Sequence, residues 1–222
     1  KLEEFASEND LGNEIKSIRE NVYCFEEINL TGKQGVVSEP NPEDTAFIQF
    51  SSGSTGDPKG VVISHKNVLT NITAMAERAQ TSSGDSTLSW MPLTHDMGLV
   101  GVHIVSVFLG INQYNMQTQL FIRYPVLWIK KASQHKATML YSPNFGYKHF
   151  LKFFNKDVAK DWDLSNVRLV TNGAEPISIE LCDEFMNTLS EYGLKRNTMY
   201  TVYGMAEATL GISFPDPGEE FR

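Results

Sequence analysis

The segment 51–60 combines residue types that suit phosphate binding. Its ten positions hold three glycines, four hydroxyl residues and Lys59. Glycine lets the backbone approach a ligand closely, amide and hydroxyl groups donate to phosphate oxygens, and a lysine adds positive charge. The composition therefore predicts a cradle for a polyphosphate. A plain surface turn is the alternative, because Ser/Gly/Thr clusters often form simple loops.

The spacing within this segment disfavours a P-loop of the kinase or GTPase type. That motif requires Gly-x-x-x-x-Gly-Lys-[Ser/Thr] followed by a helix. Here Pro58 is the fifth residue after Gly53, and Gly60 follows Lys59. A predicted strand at 61–63, and not a helix, comes next.

Two other places in the chain carry side chains that could do chemistry. His95 and Asp96 are adjacent, which would suit a metal pair, a general base with its orienting carboxylate, or a turn. Neither a His-x-x-x-His pattern nor a neighbouring cysteine supports the metal. Further on, Tyr203 could stack on a purine and Glu207 could hold Mg²⁺ against phosphate oxygens. A core tyrosine and a solvated helix glutamate are the alternatives.

The elements around these residues alternate between strand and helix. Strands are predicted at 46–50, 61–63, 87–91, 137–141, 167–171 and 198–202. Helices are predicted from the Ser64 N-cap onward, at 98–109, at 144–154 and after Pro176. This alternation predicts an α/β fold with a mostly parallel sheet flanked by helices. Ligands bind such sheets at the carboxyl ends of the strands, and the candidate loops all follow strands.

Composition and charge narrow the function classes. The 222 residues are 41% hydrophobic and 21% charged, with a net charge of −8, which argues against nucleic acid and anionic membranes as partners. Cys24 and Cys182 make no disulfide framework and indicate reduced thiols in a cytoplasmic protein. No apolar run reaches the roughly 18 residues of a transmembrane segment. The polar start without a methionine and the loop-like end suggest a piece of a longer chain.

The string Phe-Ile-Gln-Phe-Ser-Ser-Gly-Ser-Thr-Gly-Asp-Pro-Lys-Gly-Val at 47–61 resembles the signature of the adenylate-forming superfamily. This superfamily includes acyl-CoA synthetases, luciferases and nonribosomal peptide adenylation domains. Three more segments match in order, at 90–99, 172–176 and 200–210. The resemblance implies that ATP phosphates are held by Ser51, Ser52, Gly53, Ser54, Thr55, Gly56 and Lys59.

The other motifs receive roles from the same resemblance. It implies an adenine site made by Asn172, Gly173, Ala174, Glu175, Tyr203, Gly204 and Met205, with Tyr203 stacked on the ring. It implies that Glu207 binds Mg²⁺ and that Lys59, Glu207 and His95 are catalytic. The implied acyl site comprises His95, Asp96, Met97, Gly98, Asn144, Phe145 and Ala206. Many family members carry threonine where this chain has Ala206.

Details of three motifs are similar to the fatty acyl-AMP ligase branch. These are His-Asp-Met-Gly-Leu at 95–99, Pro-Asn-Phe-x-Tyr at 143–147 and Ala-Glu-Ala-Thr-Leu at 206–210. The branch implies ATP-dependent conversion of a fatty acid to acyl-adenylate with release of pyrophosphate. The acyl group then passes to the phosphopantetheine thiol of an acyl carrier protein. An acyl-CoA ligase is one alternative, and a non-catalytic nucleotide- or partner-binding fragment is another.

The resemblance also implies a domain organisation. Residues 1–42 are left unassigned, and 43–222 are predicted to be the AMP-binding core within the large N-terminal lobe. The hinge and the C-terminal lobe with its catalytic lysine would follow residue 222. We therefore expect this piece to be inactive by itself.

Overall fold

The computed structural model describes residues 2–21, 32, 35–36, 38–51 and 59–221, and it divides into two compact units, residues 1–39 and 40–222. In the first unit, α1 (Leu2–Glu8) and α2 (Gly12–Asn21) are joined by a tight turn. Asp10 in this turn has a φ of 57°. Cys24 lies outside the described residues. All the candidate motifs belong to the second unit.

The second unit begins with an antiparallel hairpin of β1 (Thr45–Ser51) and β2 (Lys59–Ser64). The strand after the glycine-rich segment confirms that this segment does not open a helix. Ile48 lies opposite Val62, and their side chains are 50% and 61% exposed. Phe50 on the same strand is 75% exposed. The hairpin thus presents large apolar side chains to solvent.

Five strands form the central parallel sheet: β3 (Ser86–Ser89), β4 (Asn112–Asn115), β5 (Met139–Ser142), β6 (Leu169–Asn172) and β7 (Met199–Thr201). Their order across the sheet is β4-β3-β5-β6-β7, and every neighbouring pair is parallel. All residues of β3, β5 and β6 are buried, as expected for strands covered on both faces. The predicted α/β class with a mostly parallel sheet is confirmed.

Helices cover one face of the sheet through a large aromatic core. They are α6 (Val126–His135), α7 (Asn144–Phe153) and α8 (Ile179–Ser190), and the short α5 (Thr118–Arg123) precedes them. Trp128, Tyr147, Phe150 and Phe185 have no exposed surface. They pack with Leu88, Leu140, Val170 and Met199, which lie in register on four adjacent strands and therefore share a face.

The opposite face of the sheet is covered by α3 (His65–Arg78) and by the segment that follows β3. Ser64 caps α3: its hydroxyl accepts from the Asn67 amide, and the Asn67 side chain accepts from the Ser64 amide. Val68, Ile72 and Met75 of α3 are buried, as the helical spacing predicts.

The predicted helix at 98–109 exists, but most of it is not an α-helix. Met97–Ile104 is a π-helix, and it continues into the short α4 (Val105–Leu109). The Val105 amide donates to the Val100 carbonyl, which is the i→i−5 bond of this geometry. Hydrophobic periodicity does not separate the two helix types, so the sequence predicts only a helix.

The amino ends of the strands are fixed by a network around Asp85. Arg168 Nε and Nη2 donate to the two carboxylate oxygens of Asp85 at 2.6 and 2.8 Å, and Arg168 Nη1 donates to the Ala79 carbonyl at 2.8 Å. The Thr138 hydroxyl donates to the same carboxylate at 2.7 Å. Burial would raise the pKa of Asp85, but the bonds from Arg168, the Ser82 amide and Thr138 lower it to about 2.

Observed element ends differ from the predicted ones by one to three residues, a normal uncertainty for boundaries. The predicted strands at 137–141 and 167–171 are β5 and β6, each displaced toward the C-terminus. The helix predicted after Pro176 starts at Ile179, with Ser178 as its N-cap. The sequence analysis missed β4, α5 and α6. Among the described residues, no helix is long and apolar enough to cross a membrane.

Candidate functional site

A cavity of about 210 Å³ lies between the sheet and the layer formed by α3 and the π-helix. From the strands it is lined by residues spaced two apart, which point to one face: Met139, Tyr141, Leu169, Thr171, Tyr200 and Val202. From the helices it is lined mainly by small and flexible residues: Met75, Ala76, Ala79, Met97 and Gly101. The walls are therefore mostly apolar.

His95 and Asp96 contribute an imidazole and a carboxylate to this wall, immediately before the π-helix. His95 Nδ1 and Asp96 Oδ1 are 2.9 Å apart, and the Met97 amide donates to Asp96 Oδ1 at 2.7 Å. The hydrogen bond to Asp96 raises the pKa of His95, against an opposing effect of burial. Burial would raise the pKa of Asp96, but His95 and the Met97 amide lower it. A protonated imidazole here would attract a carboxylate.

The turn after β6 contributes a strained residue to the cavity. Ala174 lines the cavity and has a φ of 72°, a region that L-residues seldom occupy. Gly173 before it is packed against Val202, so closely that an added Cβ would lie 2.8 Å from Val202 Cγ2. Asn172 is fully buried, and its side-chain amide donates to Asn144 Oδ1 at 3.2 Å.

The segment after β7 forms a small antiparallel ribbon, β8 (Tyr203–Gly204) with β9 (Gly211–Ser213), joined through a 3₁₀ turn at Ala206–Ala208. Tyr203 and Gly204 line the cavity, and Tyr203 is 60% exposed. Gly204 admits no side chain, because a Cβ would lie 2.1 Å from the Leu210 carbonyl oxygen. Glu207 is exposed on the turn and makes no ion pair with any described residue.

The strand that leads into the glycine-rich segment is tied to this ribbon. Gln49 Nε2 donates to the Thr209 carbonyl at 2.8 Å. Ser51 ends β1 opposite Lys59, the exposed first residue of β2. The pairing of Ser51 with Lys59 therefore holds the two ends of the phosphate segment together. The bond from Gln49 to Thr209 ties β1, which leads into this segment, to the turn that carries Glu207. The predicted phosphate-binding residues Ser52, Gly53, Ser54, Thr55 and Gly56 lie outside the described residues.

A single exposed carboxylate is a donor set that fits Mg²⁺. This ion is commonly bound by one or two carboxylates together with substrate phosphates and water. The described residues contain no group of three His, Cys, Asp or Glu side chains that could hold a metal ion by themselves. Glu207 could thus hold such an ion only if phosphate oxygens or water supply the other ligands.

Several predicted site residues lie at the same sheet edge without lining the cavity. They are Asn172, Gly173, Glu175, Met205, Ala206, Gly98, Asn144 and Phe145. Gly98 is buried, and a Cβ there would lie 2.3 Å from the Pro92 carbonyl oxygen, so its observed contact is with protein. Asn144 and Phe145 begin α7 on the aromatic-core side, where the Phe145 ring is 5.5 Å from that of Trp90. Their roles as substrate contacts stay predictions.

The sequence analysis missed most of the cavity wall. Tyr141, Thr171 and Tyr200 lie in register on adjacent strands, and the sequence analysis predicted them only as parts of strands. Phe214 and the α3 residues were not linked to the site either. The period of two along each strand was the available signal, but it does not say which face adjoins a cavity.

Known proteins similar to this chain are adenylate-forming ligases. The family model described as AMP-binding enzyme matches residues 3–222. The medium-chain-fatty-acid–[acyl-carrier-protein] ligase JamA of Moorena producens (strain JHB) is 36% identical over 182 residues, which cover 82% of this chain and 31% of that protein. The long-chain-fatty-acid–AMP ligase FadD32 of Mycobacterium marinum (strain ATCC BAA-535 / M) is 37% identical, covering 79% and 28% respectively.

A solved structure agrees with the sequence matches. The fatty acyl-adenylate ligase from L. pneumophila, in complex with acyl adenylate and pyrophosphate, superposes with a TM-score of 0.80 at 34% identity. The match covers 83% of this chain and 33% of that one. The chain therefore spans about a third of the length of these relatives.

Proposed function

Because this chain belongs to the AMP-binding enzyme family, we propose that it forms the ATP- and acid-binding part of a fatty acyl-AMP ligase. The reaction is activation of a fatty acid by ATP to acyl-adenylate, with release of pyrophosphate. The observation that carries the proposal is the apolar cavity beside Tyr203, Ala174 and His95, because it gives an aliphatic chain a place next to the predicted adenine site.

The composition of the cavity wall favours a fatty acid over an amino acid. A bound amino acid carries an ammonium group, which needs a carboxylate partner when it is removed from water. Among the described residues that line the cavity, Asp96 is the one acidic side chain, and it is already bonded to His95 and the Met97 amide. Met75, Ala79 and Leu169 instead offer an aliphatic chain apolar contact.

The proposed chemistry requires positioning and charge compensation. A carboxylate oxygen of the fatty acid attacks the α-phosphorus of ATP, and the bond from the α-phosphorus to the bridging oxygen breaks as pyrophosphate leaves. His95 at the cavity wall attracts the carboxylate, and Lys59 with the segment 51–56 binds the β- and γ-phosphates. Tyr203 stacks on the adenine. Glu207 would hold Mg²⁺, which would supply positive charge against the phosphate oxygens.

The same proposal includes the acceptor and the location. In the complete protein, the acyl group passes to the phosphopantetheine thiol of an acyl carrier protein, as the name of JamA implies for that protein. The thiol sulfur attacks the acyl carbon of the acyl-adenylate, the bond from that carbon to the phosphate oxygen breaks, and AMP leaves as the thioester forms. We place this reaction in the cytoplasm, where ATP is available.

The test is carboxylate-dependent exchange of labelled pyrophosphate into ATP by the complete protein. We expect exchange with medium- or long-chain fatty acids, and little with amino acids. Strict preference for an amino acid would refute the fatty-acid assignment, and absence of exchange with any acid would refute adenylation. Supplying CoA and a phosphopantetheinylated carrier protein in separate reactions then identifies the acceptor by the thioester formed.

A further inference from the structure

The first turn of α7 lacks a cap from its own sequence. Its N-cap residue is Pro143, which has no side chain able to accept a hydrogen bond. The first amides of a helix have no partner within the helix, so they need an outside acceptor. Glu175 provides one: its carboxylate oxygen Oε1 accepts from the Phe145 amide at 2.5 Å. A carboxylate at this position also interacts favourably with the helix dipole.

Further bonds join the same two segments. Asn144 Oδ1 accepts from the Asn172 side-chain amide at 3.2 Å and from the Ser178 amide at 3.3 Å. Behind them, the Tyr147 hydroxyl donates to the Thr171 carbonyl at 2.6 Å. The connection 172–178 joins β6 to α8. Hydrogen bonds hold it to the start of α7 at both of its ends and at Glu175 in between.

Ala174 lies in the middle of the connection 172–178, and it is the residue of this connection that lines the cavity. Its positive φ costs a non-glycine residue free energy, and such a conformation persists only where the surroundings impose it. Glu175 is the adjacent residue, so its bond to Phe145 limits how far Ala174 can relax. The exposed Glu175 side chain is therefore already engaged with protein and does not line the cavity.

We propose that Glu175 is a positioning residue, which holds Ala174 in its strained conformation beside the nucleotide by capping α7. This inference rests on the proposed function for its choice of ligand. It differs from the expectation that Glu175 binds ATP directly, because the carboxylate acts through Phe145 and Ala174. It also predicts that a neutral acceptor of the same length suffices, since the amide of Phe145 needs an oxygen and not a charge.

The test uses three variants of the complete protein, with KM for ATP and kcat measured in the exchange reaction. Glu175→Ala is expected to raise KM for ATP roughly tenfold, with a smaller change in kcat. Glu175→Gln, which keeps an oxygen acceptor, is expected to stay within about twofold of the unaltered protein. Glu184→Ala on α8 is the matched control, because the Glu184 side chain is exposed and makes no hydrogen bond or ion pair in the described structure.

The double variant Ala174→Gly with Glu175→Ala gives the sharpest result. Glycine adopts positive φ without the steric penalty, so it should recover at least half of the loss in log KM caused by Glu175→Ala. A direct contact between Glu175 and ATP predicts no recovery, and equal defects in Glu175→Gln and Glu175→Ala would likewise overturn the proposal. A lower melting temperature with unchanged KM would assign Glu175 to stability alone.

Equilibrium titration with ATP in the absence of any acid separates this inference from the proposed function. A complete protein that binds ATP but exchanges pyrophosphate with no fatty acid refutes the fatty-acid assignment, while the ATP affinities of the variants still test Glu175. Weaker ATP binding in Glu175→Ala than in Glu175→Gln supports the positioning role. Equal ATP binding by these two variants refutes it.

Discussion

Charged and polar side chains have opposite environments at the two ends of the parallel strands, which we call the amino edge and the carboxyl edge of the sheet. At the amino edge, Asp85 is buried, and both of its oxygens are bonded to Arg168. At the carboxyl edge, Glu207 is exposed and unpaired within the described structure, and Tyr203 is 60% exposed. Ala174 is also held there in a strained conformation.

This contrast separates stability from ligand binding. A carboxylate that is fully bonded to protein has nothing left to offer a ligand, whereas an unpaired one can bind a cation or orient a phosphate. A substitution of Asp85 at the amino edge is therefore expected to lower the stability of the fold and to leave KM for ATP unchanged. Substitutions of the exposed residues Glu207 and Tyr203 at the carboxyl edge are expected to change KM and rate and to leave folding unchanged. Substitutions at three positions in the complete protein test this division.

The largest expected effect is that of Glu207→Gln. Removing the charge leaves the triphosphate less compensated in the transition state, so the rate of pyrophosphate exchange should fall roughly 10²- to 10³-fold. The melting temperature should hardly change, because the side chain is exposed and unpaired in the described structure. Glu77→Gln on α3 is the matched control, since Glu77 is also exposed. An unchanged exchange rate would contradict the assigned role.

Asp85→Asn should have the second-largest effect, on stability. The neutral side chain leaves the Arg168 guanidinium without its counter-charge, which should lower the free energy of unfolding by about 3 kcal/mol. Urea denaturation measures this, and KM for ATP should not change. Lys66→Gln is the comparison, because it breaks the exposed pair with Glu43 and should have little effect.

The pH dependence of unfolding checks the same carboxylate. The pKa of Asp85 is about 2 in the folded protein, against an ordinary value of 3.8, so the folded state binds this proton less tightly than the unfolded state. The resulting stabilisation, about 2 kcal/mol, is fully present above about pH 4 and is lost as the pH falls toward 2. Asp85→Asn should remove this part of the acid dependence; an identical acid profile would show that Asp85 is not its source.

The smallest expected effect is that of Tyr203→Phe. The proposed role of Tyr203 is stacking on adenine, which needs the ring and not the hydroxyl, so KM for ATP should change less than about twofold. Tyr203→Ala removes the ring and should raise KM roughly tenfold. If the two variants were equally impaired, the hydroxyl and not the stacking would be the important feature.

Much of the fold could be predicted because its main elements carry a clear pattern. The helix after Ser64 has both a cap and a regular apolar face, and the strands β5 and β6 are short apolar runs bounded by Pro143 and Gly173. β4 could not be recognised, since Asn112-Gln113-Tyr114-Asn115 is a polar strand at the sheet edge. Its strand conformation comes from pairing with β3, and no local sequence pattern predicts this pairing.

The candidate site also has a part that could be predicted from the sequence and a part that could not. The motif residues were found because their types and order are distinctive, and several of them, including His95, Ala174 and Tyr203, do meet around one cavity. The contacts that arrange them join distant parts of the chain, such as Gln49 to the Thr209 carbonyl and Glu175 to the Phe145 amide. Such pairs leave no local pattern, so only the folded structure reveals them.

The strand order has a consequence for how the protein is made. Each pairing in the parallel sheet joins strands separated by at least one helix in sequence, and β3 must pair with both β4 and the more distant β5. The β1–β2 hairpin can close as soon as it leaves the ribosome, but β7, which leads into Tyr203 and Glu207, is synthesised after the other four described strands of its sheet. Such non-local pairings form slowly, so we expect the apolar strands to stay unpaired for part of the synthesis and to favour aggregation during that time.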